Sequence, residues 1–130
     1  MGVRFPSGGS IALVNNQLNT NVETVVCVTP PLILPLDFAQ VLIFWYFVVT
    51  TAAGTTAIQP KIKRGPNAAS TTINPGLGVT AAAAAVVSLS GVYVDTPGAV
   101  AGQQYALTMT AIGAGANANI SDACIIAFAL

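Results

Sequence analysis

Between Ala39 and Thr51 the chain reads AQVLIFWYFVVTT, apolar at odd and even positions alike from Val41 to Val49. A strand with one face in water alternates apolar with polar residues; this one has no solvent face. Successive side chains of a strand point to opposite sides. Val41, Ile43, Trp45, Phe47 and Val49 therefore line one side, and Leu42, Phe44, Tyr46 and Val48 the other. The first set suits a sandwich core, whereas the second needs cover from another sheet, another subunit or lipid. Of the adjacent aromatic pair, Trp45 is assigned to the core and Tyr46 to an interface, which makes Leu42, Phe44, Tyr46 and Val48 the candidate oligomer contacts. The window from residue 36 to 54 is also long enough to suggest a transmembrane helix. Against that reading, Asp37 and Gln40 intrude, Pro35 and Gly54 bracket the run, and its interior is β-branched and aromatic. A strand is expected, and no membrane partner.

Composition narrows the function. The chain has 130 residues, enough for one domain with a sizeable core. Its charged residues are Arg4, Glu23, Asp37, Lys61, Lys63, Arg64, Asp95 and Asp122, 6% of the chain, where soluble domains carry about a quarter. The surface must be built from Thr, Ser, Asn, Gln, Ala and Gly, which defend poorly against association. Zero formal net charge gives no steering of nucleic acid, so no nucleic-acid partner is expected. Histidine is absent, removing the commonest general base and metal ligand. The carboxylates are scattered singly, so no catalytic residue, no metal and no cofactor is expected, and the chain reads as an assembly subunit rather than an enzyme.

Turn residues divide the rest. Residues 1–20 are rich in Gly, Ser and Asn, with one apolar patch from Ile11 to Val14, and read as an extended N-terminal arm; residues 21–130 read as the domain. Strands are expected over Glu23 to Val28, Ala39 to Thr51, Thr56 to Lys63, Ser70 to Ile73, Ala85 to Val94, Gln104 to Ile112 and Ala123 to Phe128. Between them stand Thr-Pro-Pro at 29–31, Arg-Gly-Pro-Asn at 64–67, Asn-Pro-Gly at 74–76, Thr-Pro-Gly at 96–98 and a loop from Gly113 to Asn119. The fold class is all-β, a jelly-roll-like antiparallel sandwich. The alanines of TAAAAAVV, Thr80 to Val87, favour a helix intrinsically, but the run lacks a polar face and is short, so a strand from Ala85 is expected.

Few constellations could carry chemistry. Lys61, Lys63 and Arg64 form the one basic cluster, readable as an anion or partner contact or as a strand end paired with Asp95 or Asp37. Tyr46, Tyr93 and Tyr105 could stack on a glycan. Cys27 and Cys124 fit neither a zinc nor a redox spacing. In a jelly roll the first and last strands are neighbours, which allows a disulfide. However, MGVRFPSGGS lacks a secretory core, so two buried thiols are the expectation. Asn119-Ile120-Ser121 matches a glycosylation acceptor, a pattern common by chance, and Gly113 to Asn117 lacks the helix and lysine of a phosphate loop.

The order of ETVVCVTPP (23–31), the aromatic strand ending TTAAGTT (50–56), IQPKIKRG (58–65), DTPG (95–98), QYALTMTA (104–111) and ACIIAFAL (123–130) resembles small jelly-roll proteins of tailed-phage virions, the head decoration proteins and tail-associated accessory domains. That resemblance implies a sandwich, commonly trimeric, on the outside of a virion assembled in the host cytoplasm, with a major capsid protein or another virion protein as partner. Attachment to the shell often resides in the arm, where Arg4 and Phe5 are candidate contacts beside Lys61, Lys63 and Arg64. A host-glycan-binding module and a strand-donating filament subunit are the alternatives.

Overall fold

The computed structural model describes residues 17–19, 21–34, 40–74, 79–80, 84–98, 100–114 and 117–129. Within them lie eleven strands: β1 (Gln17–Leu18), β2 (Thr24–Val28), β3 (Leu32–Leu34), β4 (Val41–Thr51), β5 (Ala57–Arg64), β6 (Thr71–Asn74), β7 (Val79–Thr80), β8 (Val86–Asp95), β9 (Val100–Gln103), β10 (Tyr105–Ile112) and β11 (Ala118–Ala129). Two antiparallel sheets stack as a sandwich. One runs β1-β11-β4-β8, the other β2-β10-β5-β6 with β7 also on β5, and β3 pairs β9 beside them. The chain crosses between sheets from β1 to β2, from β4 to β5, from β7 to β8 and from β10 to β11, so sequence neighbours face each other while each sheet is assembled from distant segments. This interleaving makes the sandwich a jelly roll.

β4 is the inner strand of the first sheet, paired with β11 on one side and β8 on the other. Its odd positions Val41, Ile43, Trp45, Phe47 and Val49 are all buried, as its apolar pattern requires. They meet Ile58 and Ile62 of β5 and Tyr105, Leu107, Met109 and Ala111 of β10 in one core. β11 reaches that core by a change of phase. Ala118 and Ile120 face inward, a bulge at Ser121 shifts the register, and Ala123, Ile125, Ala127 and Ala129 then face inward instead. The polar residues Asn119, Ser121 and Asp122 obscure this strand in the sequence. It therefore starts at Ala118, five residues before the expected Ala123.

The Trp45 ring lies across β8 on the core side, over Gly91. Trp45 pairs with Gly91 across the ladder, stacks on Phe47 with centroids 6.1 Å apart and planes 7° apart, and lies where a residue-91 side chain would stand. A Cβ on Gly91 would come within 2.5–2.9 Å of the indole atoms Cζ2, Cε2 and Nε1. The indole N–H has no hydrogen-bond partner among the described residues.

Several expectations change. The neighbour of β11 is β1, a two-residue strand not anticipated, and the first expected strand, β2, lies in the opposite sheet beside β10. Cys27 and Cys124 are consequently not same-sheet neighbours; both are buried and no disulfide joins them. Leu18 is fully buried in the core, so the sandwich extends upstream of residue 21, while residues 1–16, including the Ile11 to Val14 patch, lie outside the described residues. β3, β7 and β9 were also not anticipated, being short segments between turn residues. In the alanine run, β7 and the start of β8 at Val86 are strand, Ala84 has a φ of 52°, and residues 81–83 are outside the described set.

Two substitutions test the Trp45 packing. Trp45→Ala should cost about 3–5 kcal/mol, the range for truncating a buried aromatic. Gly91→Ala should cost about 1–3 kcal/mol by overpacking although it adds a single methyl group. Urea unfolding midpoints measure both; a neutral Gly91→Ala would mean that the ring does not occupy this position.

Candidate assembly surface

The two sheets present opposite outer faces. On the β2-β10-β5-β6 side the outward face carries a bonded polar group among small and β-branched residues such as Ala106 and Val25. Lys63 on β5 is only 4% exposed; its Nζ donates to Glu23 Oε1 at 2.8 Å and to Thr72 Oγ1 at 2.6 Å. Thr108 Oγ1 donates to the same Glu23 oxygen at 2.8 Å. Burial alone would raise the Glu23 carboxyl, but the Lys63 and Thr108 hydrogen bonds and the Lys63 charge outweigh it and hold it below its ordinary value.

A second ionic group closes one end of the sandwich. Arg64 on β5 donates through Nε to Asp95 Oδ2 at 2.9 Å and through Nη2 to Asp95 Oδ1. The Tyr105 hydroxyl on β10 donates to Asp95 Oδ2 at 2.8 Å. Asp95 belongs to β8, in the other sheet, and is 3% exposed, so this group ties the sheets together. Burial pushes the Asp95 carboxyl up, but the Arg64 and Tyr105 hydrogen bonds and the guanidinium charge prevail, leaving it below the usual carboxylate range. Burial and the Asp95 hydrogen bond push the Tyr105 phenol far up. Burial, with a smaller contribution from Cys124, pushes the Cys27 thiol up to about 12, which makes it an inert core thiol rather than a nucleophile.

These pairings dissolve the expected basic cluster. Lys63 is buried with Glu23 and Arg64 is held by Asp95, leaving Lys61, half-buried on the same face as Lys63, as the remaining cation of the three. The Arg64–Asp95 pair is the strand-end pairing that formed one of the two readings of the cluster, and with Lys63 held by Glu23 two of the three charges are neutralised inside the fold. Arg4 and Phe5 lie outside the described residues. Of the tyrosines proposed for stacking, Tyr105 is fully buried and Tyr93 faces the core. Tyr46 alone presents its ring on the outer face.

The outer face of β1-β11-β4-β8 is apolar. β4 contributes Leu42, Phe44, Tyr46 and Val48, the four residues expected to lack an internal partner; Phe44 and Tyr46 are 40% and 38% exposed. β8 adds Val86, Val92 and Val94, exposed by 70%, 56% and 44%, and β11 adds Ile126 and Phe128. Phe44 and Phe128 meet edge to face with centroids 5.7 Å apart. The charge on this face, Asp122, accepts a hydrogen bond from the Tyr46 hydroxyl at 2.9 Å, which raises the Tyr46 phenol. On either side of Tyr46 are shallow grooves of about 280 and 380 Å³; they share Ser90 and are bounded by Phe44 and Val92 on one side and by Val48 and Ser88 on the other. The β8 contribution was not read from the sequence, although VVSLSGVYV does alternate at its start. Among the described residues no group of three or more His, Cys, Asp or Glu could hold a metal, and no helix is long and apolar enough to cross a membrane.

No protein-family model and no curated protein sequence matches this chain. Solved structures do. A chain of infectious bursal disease virus, Gx strain, superposes with a TM-score of 0.68 at 12% identity, over 97% of this chain and 33% of that one. A mutant VP2 protein of the same virus, in derived T=1 particles, gives 0.63 at 10% identity over 98% and 32%. FLHE gives 0.51 at 14% identity over 94% and 92%. At these identities the likeness establishes the fold: an all-β jelly-roll sandwich like the one in the viral chains, of whose length this chain spans about a third.

The ionic groups make stability acid-sensitive. Asp95 and Glu23 have folded pKa values below their ordinary ones, so the unfolded chain binds more protons as pH falls. Their stabilising effect is complete above about pH 4.5 and disappears as pH drops through the lower folded values. Urea midpoints should be level from pH 7 to 5 and fall below about pH 4. Asp95→Ala should cost about 3 kcal/mol at neutral pH, since it strands the Tyr105 hydroxyl and the Arg64 charge, and should reduce the acid-dependent loss. Equal acid profiles for variant and wild type would contradict this.

Proposed function

We propose that this chain is a non-catalytic structural protein of a virus particle, a jelly roll that decorates or cements a phage capsid and stabilises the assembled shell. The observation that carries this reading is the contrast between the outer faces. One carries the bonded Glu23, Lys63, Thr72 and Thr108 group and no large exposed aromatic, whereas the other exposes Phe44, Tyr46, Val92 and Val94 with a single, hydrogen-bonded carboxylate. Exposed apolar surface of this kind marks a protein contact. The likeness to the VP2 sandwich supports a shell role through fold alone, and the phage assignment rests on the sequence resemblance.

In this role the subunit works by linkage. Binding the assembled shell but not its free parts lowers the free energy of the shell. A homotrimer formed through Leu42, Phe44, Tyr46 and Val48 adds avidity, because three attached domains dissociate far more slowly than one. The partner is a major capsid protein or another virion protein, the place is the virion surface, and neither nucleic acid nor membrane takes part.

Cosedimentation of the purified chain with empty capsids tests the role: it should pellet with shells and raise their melting temperature, and failure to bind any shell of its source virus would refute it. Light scattering at micromolar concentration should give a trimer or a multiple of it rather than a monomer. Tyr46→Ala should keep its β-sheet circular dichroism but melt at a temperature that rises steeply with protein concentration, as expected when folding and weakened association are coupled.

A further inference from the structure

We propose that β8 is a second assembly element: its outer edge pairs, antiparallel and across a two-fold axis, with β8 of a second copy, joining two β1-β11-β4-β8 sheets into one. This rests on the reading of the chain as an assembly subunit but concerns the edge of the sheet rather than its face.

The edge has features that a sheet ending in water avoids. β8 is last in its sheet, and no strand of the described residues pairs with its far side. The other strands at sheet ends are short, two residues in β1, five in β2 and four in β6, while β8 has ten. Long free edges are normally blunted by Lys, Pro, bulges or inward charges. Residues 86–94 contain no Pro and no charge, and their pairing with β4 is regular throughout. Asp95 at the end is buried and held by Arg64. The core-facing residues agree. Leu89, Gly91 and Tyr93 are only half-buried, whereas Ile43 and Phe47, opposite Tyr93 and Leu89 on β4, are fully buried. Between the buried Val87 and Asp95 the sandwich is left ajar along the middle of β8.

The partner follows from the same chemistry. An uncharged, apolar edge offers no complement to a charged peptide, but it meets an identical copy without repulsion, and antiparallel pairing about a two-fold axis is self-complementary. Face parity then sets the register. Antiparallel partners share a face, so Val86, Ser88, Ser90, Val92 and Val94 must oppose the same outer set of the second copy. A shift of one residue would set the outer face of one sandwich against the core side of the other. Centring on Ser90 or on Gly91 pairs nine residues with parity kept, and Ser90 is the centre that leaves Asp95, held inside the fold by Arg64, out of the new ladder. Val86 then faces Val94 of the second copy, Ser88 faces Val92, and Ser90 faces its own equivalent. On the core side Val87 faces Tyr93, and Leu89 faces Gly91, where the missing side chain leaves room. The apolar outer face carrying Phe44 and Tyr46 becomes continuous across the seam.

Cysteine cross-linking of the full chain tests both the pairing and the register. Cross-strand Cβ atoms lie about 5 Å apart, close enough for a disulfide after small adjustment. In Ser88→Cys the two thiols would be offset by four residues, about 13 Å. Under mild oxidation Ser90→Cys should form a disulfide-linked dimer at least about tenfold faster than Ser88→Cys or the wild type. Ser90 also lines the grooves beside Tyr46, so the edge contact is read by rescue: Ser90→Lys and Ser90→Glu should each lose the two-fold contact in sedimentation velocity, an equimolar mixture should restore it, and a mixture that stays dissociated would overturn the pairing. Equal cross-linking at the two positions, or S90K sedimenting as wild type, would overturn the proposal. If S90K leaves sedimentation unchanged while Tyr46→Ala still weakens association, the edge pairing fails and the face-mediated assembly stands.

Discussion

Everything in this fold depends on a strand that cannot face water on either side. β4 is inner in its sheet, satisfied by β11 and β8 along both edges, yet its two faces are treated differently. The odd residues find the core. The even residues find only part of a partner, in Phe128 for Phe44 and Asp122 for Tyr46. Trp45 uses the space above Gly91 on the core side, and the regular ladder with β4 places the valines of β8 on the same outer surface as Phe44 and Leu42. The exposed apolar face thus follows from how the core is filled: the parity that buries Trp45 leaves Tyr46 outside.

The scarcity of charge acts in the same direction. Among the described residues four of the six charged side chains are used in pairing within the fold, Glu23 with Lys63 and Asp95 with Arg64. The Arg64–Asp95–Tyr105 group joins the two sheets at one end and satisfies a hydroxyl and a carboxylate that would otherwise be costly to bury. Charges engaged in this way do little to keep copies apart. The remaining surface has neither the net charge nor the dispersed charged side chains that oppose association.

How much of this was legible in the sequence depended on pattern length. β4, β5, β8 and β10 are long apolar or β-branched runs between turn residues, and their limits were read to within about two residues. The facing of Trp45 and Tyr46 followed from the period of a strand alone. β1 is two residues long and carries no period, and missing it displaced the neighbour of β11 and hence the relation of Cys27 to Cys124. The first part of β11 was hidden because the bulge at Ser121 changes the phase of its apolar residues. The basic residues were visible as a cluster in β5, but their carboxylate partners are 31 to 40 positions away in sequence, and only the folded sheets bring them together. The exposed valines of β8 were unremarkable in sequence, since alternation alone does not say which face will lack cover.

The central claim is that the outer face of β1-β11-β4-β8 is covered by neighbouring subunits in the working state. Hydroxyl-radical footprinting reports it directly, because Phe44 and Tyr46 are oxidisable aromatic residues at the middle of the face. Oxidation at both should fall several-fold between protein diluted below its association threshold and the assembled state, while acylation of Lys61 on the opposite sheet stays unchanged. Equal oxidation of Phe44 and Tyr46 in the two states, with Lys61 becoming protected instead, would contradict the account.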